Sequence, residues 1–139
     1  MRILTIILVL LLGACGGTAD APLVASEVEI TRPMPGNEMS AGFLVLTNNT
    51  ATPLSITRVS SPQYASVEIH ETTITDGIAR MRRLDQLVVP AHGSTTLERG
   101  GKHLMLMRPV DPGNTVTLQF YDGDALQLTY TYTYSTETS

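Results

Sequence analysis

The chain has 139 residues, a formal net charge of −4 at pH 7, 42% hydrophobic residues and a single cysteine. That length suits one domain with a core of its own. Positive charge clusters only at Arg80, Arg82 and Arg83 in an acidic chain, which argues against nucleic acid as a partner.

The first fifteen residues read MRILTIILVLLLGAC: one cation (Arg2), an apolar run from Ile3 to Leu12, then small residues and the cysteine. A run this short is a secretion signal (residues 1–14) rather than a membrane span, which takes about 20 apolar residues. Leu12-Gly13-Ala14-Cys15 resembles the bacterial lipoprotein box, whose cysteine is diacylated and becomes the first mature residue. Cys15 is then a membrane anchor, and the folded part has no thiol for disulfides, redox chemistry or a Cys-based zinc centre. Gly16 follows Cys15 where an Asp would retain a lipoprotein in the inner membrane. The expected location is therefore the periplasmic side of the cell envelope, on the outer membrane if the source is Gram-negative. Residues 16–22, GGTADAP, read as a tether, so residues 15–23 link lipid to a domain expected over 24–139.

From Val24 onward every signal is for strands. Val28 and Ile30 alternate with Glu27, Glu29 and Thr31, and AGFLVLTN (41–48) is apolar enough to be buried on both faces. Further strands are expected over 53–59, 65–74, 78–84, 95–99, 103–107, 114–121 and 125–134. In the last, Leu126, Leu128, Tyr130, Tyr132 and Tyr134 share a face opposite Gln127 and the threonines. Turn punctuation falls at Pro35-Gly36, Asn48-Asn49, Asp76-Gly77, Gly100-Gly101, Pro112-Gly113 and Asp122-Gly123. Eight or nine short strands predict an all-β, antiparallel β-sandwich in a single domain.

Chemistry concentrates between His70 and Met105. Asp76-Gly77 is a two-residue hairpin signal; a type I′ turn there sets Thr72 opposite Met81 and His70 opposite Arg83. His70 and Met81 are then diagonal neighbours on one face, with Cβ atoms about 7–8 Å apart or less. In HLMLM, His103, Met105 and Met107 share one face and Leu104 and Leu106 the other. The leucines read as core, so the histidine and methionines are expected to point outward. Neutral thioether sulfur and imidazole favour Cu(I) over harder ions, whereas zinc would recruit Cys, His or carboxylate. No nucleophile or acid–base pair accompanies them, so binding and transfer are expected rather than catalysis, and the chain is not read as an enzyme. Spacing alone leaves a second reading open, in which four surface residues coincide on a structural sandwich.

His70, Met81, His103 and Met105 fit the pattern H-x10-M-x21-H-x-M. In this, and in EIHET, DGIARMR, VPAHGSTTLERGGKHLMLM and DPGNTVTLQF, the chain resembles the PCu(A)C periplasmic copper chaperones from about Val28 to Thr131. The resemblance implies a cupredoxin-like, immunoglobulin-like Greek-key sandwich that binds one Cu(I) per chain through those four side chains. It also implies delivery of copper to the dinuclear copper centre of a haem-copper oxidase, often beside a Sco-type thiol protein. Envelope copper buffering or tolerance is the alternative task, and a monomer is expected. The chain departs from family members that carry a His- and Met-rich tail, because YSTETS has neither residue and no second copper site is expected there. Met34 and Met39, flanking Pro35-Gly36, are weaker candidates to approach the metal. Met107 reads as packing, His92 as a solvated loop residue, and Arg80, Arg82 and Arg83 as a solvated strand face.

Overall fold

The computed structural model describes residues 20–111 and 113–135. The expected signal, Cys15 and most of the tether lie outside them. Eleven strands run in chain order: β1 (Leu23–Ile30), β2 (Met39–Asn48), β3 (Leu54–Ile56), β4 (Arg58–Ser60), β5 (Tyr64–Thr75), β6 (Ile78–Leu84), β7 (Leu87–Val89), β8 (Ser94–Leu97), β9 (Lys102–Pro109), β10 (Thr115–Asp122) and β11 (Ala125–Thr133). The main sheet has the order β1-β2-β9-β5-β4-β10-β11, with β6 added beside β5 and β8 beside β2; β3 and β7 form a separate pair. This is the all-β, single-domain class expected, curled into a nearly closed barrel.

Closure brings β1 and β11, the two ends of the sheet path, against each other. Just beyond their ends the Arg32 guanidinium stacks 4.2 Å from the Tyr134 ring centroid, and the Tyr134 hydroxyl donates to the Thr31 carbonyl. Burial, followed by the neighbouring Tyr64 hydroxyl, pushes the Tyr134 phenol well above its ordinary pKa.

Period-2 alternation builds the core. Leu44 and Leu46 of β2, Leu104 and Leu106 of β9, Ile69 of β5, and Leu118 and Phe120 of β10 are all buried on the inner face. On β1 the pattern changes parity: Leu23 and Ala25 face inward, then Val28 and Ile30 do. A register shift between Ser26 and Glu29, with Glu27 at φ 51°, absorbs the extra residue as a bulge.

Two expectations need correction, and one strand, β7, was not expected. Residues 53–59 form two strands rather than one. The chain breaks at Thr57, whose N–H bonds the Tyr121 carbonyl and whose hydroxyl accepts from the Gly123 N–H, and β3 and β4 then join different sheets. β7 had too few residues to register as a strand by pattern. Asn48 is not a turn residue but the buried end of β2: its side chain donates to the Thr52 and Val89 carbonyls and accepts from Thr50.

β2 and β5 position the candidate site. Met39 to Gly42 of β2 pair with β9, whereas Leu44 to Thr47 pair with β8. β5 pairs with β9 as far as Glu71, and then continues with β6 alone to Thr75. Where β9 begins, β2 and β5 therefore diverge and leave a fork. Gly42 lies at its base, where a Cβ would come 3.2 Å from the Leu104 Cβ. This tight approach holds β2 against β9.

Candidate metal centre

The hairpin forms with the expected register. Thr75 pairs with Ile78, Thr72 with Met81 and His70 with Arg83, around Asp76 at φ 53° and Gly77 at φ 75°. Positive φ at both central positions is the type I′ geometry that favours Asp-Gly. On its other edge β5 pairs with β9 so that His70 stands directly opposite His103 and Glu68 opposite Met105. This pairing is the tertiary contact that joins the two pairs read from the sequence. The imidazole centroids are 5.9 Å apart at an interplanar angle of 64°.

Met81, His103 and Met105 line one open depression in the fork, together with Ala41, Phe43, Thr72, Arg99 and Gly100. His70 abuts it through His103. Exposure is uneven: Met81 is 53% exposed, Met105 is half-buried, the His70 side chain is 16% exposed and His103 only 5%. His103 thus lies on the expected face but is not at the surface. The Phe43 ring sits 6.4 Å from the imidazole centroid, and the Arg99 guanidinium stacks 4.5 Å above Phe43, so β2 and the turn before β9 roof it over.

Hydrogen bonds fix both imidazoles. The His70 Nε2 lies 2.8 Å from Glu68 Oε2. An ionised carboxylate only accepts, so Nε2 carries the proton and the neutral ring keeps its lone pair on Nδ1. That Nδ1 is buried and has no hydrogen-bond partner. The His103 Nδ1 lies 3.1 Å from the Gly101 carbonyl, which can only accept, so Nδ1–H donates and Nε2 is the lone-pair nitrogen. The hydrogen bond from His70, followed by the charge of Arg83 at 3.6 Å, holds the Glu68 carboxyl below its usual pKa. Glu71, on the core side of the same strand, is likewise lowered by Arg82 and then Lys102.

Among the described residues no three His, Cys, Asp or Glu side chains converge. The candidate donors around the fork are imidazoles and thioethers, a set that is soft and carries no charge. The other candidates fall away from it. Met39 pairs with Met107 further down the same face, and Met34 is exposed in the turn before β2. His92 is exposed in its loop. Glu68, Phe43 and the Gly101 carbonyl were not singled out from sequence. Glu68 was within reach of it, because residues two apart on a strand share a face.

The nearly closed β-barrel, the family match and the structural likenesses together give the domain as one of the PCu(A)C type. The chain belongs to the LpqE-like lipoprotein family, whose pattern matches residues 23–133. It is 31% identical over 94 residues to the lipoprotein Lxx21020 of Leifsonia xyli subsp. xyli, a match covering 63% of this chain and 57% of that protein. The chain thus spans little more than half the length of that relative. The solution structure of CuI-DR1885 from Deinococcus radiodurans is 28% identical, covers 89% of this chain and 85% of its own, and has a TM-score of 0.61. The copper-bound PCuAC domain from PmoF2 shares the fold at 18% identity, with a TM-score of 0.63 over 82% of this chain and 92% of its own.

Proposed function

We propose that this protein is a lipid-anchored copper chaperone of the bacterial envelope. It binds one Cu(I) through His70 Nδ1, Met81, His103 Nε2 and Met105 and passes it to an acceptor by ligand exchange. The carrying observation is the buried, unpartnered His70 Nδ1 beside a second imidazole whose Nδ1 is held by the Gly101 carbonyl. A buried nitrogen lone pair without a donor is costly, and a metal ion supplies what it lacks. The likeness to a protein whose structure is titled as its CuI form supports copper as that ion.

The exposure gradient sets an order of events. Met81 is the outermost donor and a neutral thioether, so an incoming Cys or His displaces it first, and His103 lets go last. Copper stays Cu(I) throughout, and no electron moves. Cys15 supplies the anchor, on the periplasmic side and on the outer membrane in a Gram-negative host. The acceptor is the dinuclear copper centre of a haem-copper oxidase, beside a Sco-type thiol protein.

Competition of the metal-loaded protein against a Cu(I) chelator tests the binding. One equivalent is expected to be retained by the native chain and lost from the quadruple alanine variant at His70, Met81, His103 and Met105. Equal retention by that variant would overturn the site. Incubating the loaded protein with an oxidase subunit carrying an empty copper centre tests delivery. Copper that stays on the donor assigns the protein to buffering instead.

A further inference from the structure

The pairings carry two features to one end of the barrel. β1 begins at Leu23 opposite Asn48, the last residue of β2. β5 runs in the same direction as β2, because both are antiparallel to β9, so its hairpin with β6 points to that same end. The chain therefore enters the domain at the end to which the Asp76-Gly77 turn projects. Only seven residues separate Leu23 from Cys15, a reach of about 25 Å when fully extended.

The hairpin has an unusual surface for a projecting turn. Ile74 and Ile78 flank it at 68% and 56% exposed, and Met81 follows on the same strand. Every residue of β6 before Leu84 is exposed, and its outer edge carries no strand among the described residues. Arg80, Arg82 and Arg83 lie just behind the apolar tip. Glu71 pairs with Arg82 and Glu68 with Arg83, while Arg80 has no carboxylate partner among the described residues. Asp76 at the apex is the acid that the type I′ turn calls for, at φ 53°. Apolar side chains at a tip with arginines behind them match the layering of a bilayer surface, acyl boundary below anionic headgroups.

We propose that the β5–β6 hairpin rests on the anionic membrane surface that holds the lipid of Cys15, with Ile74 and Ile78 in the headgroup layer and Arg80 among the phosphates. The inference rests on Cys15 being acylated and is independent of copper. It places the fork about three residues' rise, or about 10 Å, from the membrane that carries the anchor.

Acylation blocks the only native thiol, so Ile78→Cys is a unique labelling site in the full lipoprotein. The metal-free protein is labelled with an environment-sensitive fluorophore and reconstituted into vesicles of phosphatidylcholine with or without phosphatidylglycerol. The matched control is Val110→Cys, an exposed apolar position at the opposite end of the barrel. The probe at 78 is expected to shift to the blue on phosphatidylglycerol vesicles and to be quenched by brominated lipid, and the probe at 110 to show neither. Arg80→Glu with Arg82→Glu is expected to abolish the dependence on phosphatidylglycerol. A probe at 78 that stays in water while mass spectrometry shows acylated Cys15 overturns the proposal alone. An unacylated Cys15 overturns the anchor and the proposal together. A shift that grows with protein concentration in detergent, without vesicles, assigns the free edge of β6 to a second copy of the chain instead.

Discussion

Replacing Glu68 with alanine isolates the contribution of a residue that does not touch the metal in the proposed site. In the native chain its Oε2 accepts the Nε2–H of His70 at 2.8 Å, while Nδ1 is buried without a partner. Without the carboxylate the ring can move its proton to Nδ1 or rotate, and either removes a donor from the site. Loss of a carboxylate behind a metal-ligating histidine costs about 10–100-fold in affinity, equivalent to about 1.4–2.7 kcal/mol. Stability should change by less than about 1 kcal/mol, because the Glu68 ion pairs with His70 and Arg83 are partly exposed to water. Chelator competition reads the Cu(I) affinity, and long-range nitrogen–proton NMR of the metal-free protein reads the tautomer of His70. Glu68→Gln should recover most of both, since its amide oxygen still accepts Nε2–H. Unchanged Cu(I) affinity and an unchanged His70 tautomer in Glu68→Ala would refute the assigned role.

Met81→Ala is expected to weaken Cu(I) binding strongly while shifting the urea midpoint little, because the side chain is half-exposed. His103→Ala should lose copper and also cost about 1–3 kcal/mol of stability, since it empties a buried, hydrogen-bonded position. Leu106→Ala should show the converse in denaturant titration, a loss of about 2–5 kcal/mol from the core with Cu(I) affinity kept by the folded fraction. Alkaline titration followed by circular dichroism should show destabilisation beginning above about pH 10. The Tyr134 pKa is raised in the folded state, so its contribution is complete below the unfolded value and fades as pH rises beyond it. Tyr134→Phe should blunt that loss.

The hairpin register was legible because Asp-Gly at the turn leaves few ways to pair the residues on either side, and His70 and Met81 inherited their relation from it. The shared face of His103 and Met105 was equally legible, as alternation on a strand is local. The burial of His103 was not, because Phe43 and Arg99 arrive from distant segments and no period in HLMLM reports what lies above it. The break at Thr57 was hidden for the same reason. PLSITRV alternates well enough for one strand, and only the contacts with Tyr121 and Gly123 divide it. The bulge on β1 escaped detection as well, since a single inserted residue looks like ordinary alternation whose parity drifts.

The ladder β6–β5–β9 that links the four candidate donors lies in a domain with no cysteine among its described residues. Among the described residues there is therefore no covalent staple. An ion gripping three adjacent strands would act as a removable one, adding to folding stability by an amount that grows with the logarithm of free metal over its dissociation constant. Loaded chains would resist unfolding and proteolysis better than empty ones. If copper is the ion, as proposed, the survival of the protein would then report the copper supply, and scarcity would thin the pool without a separate sensor.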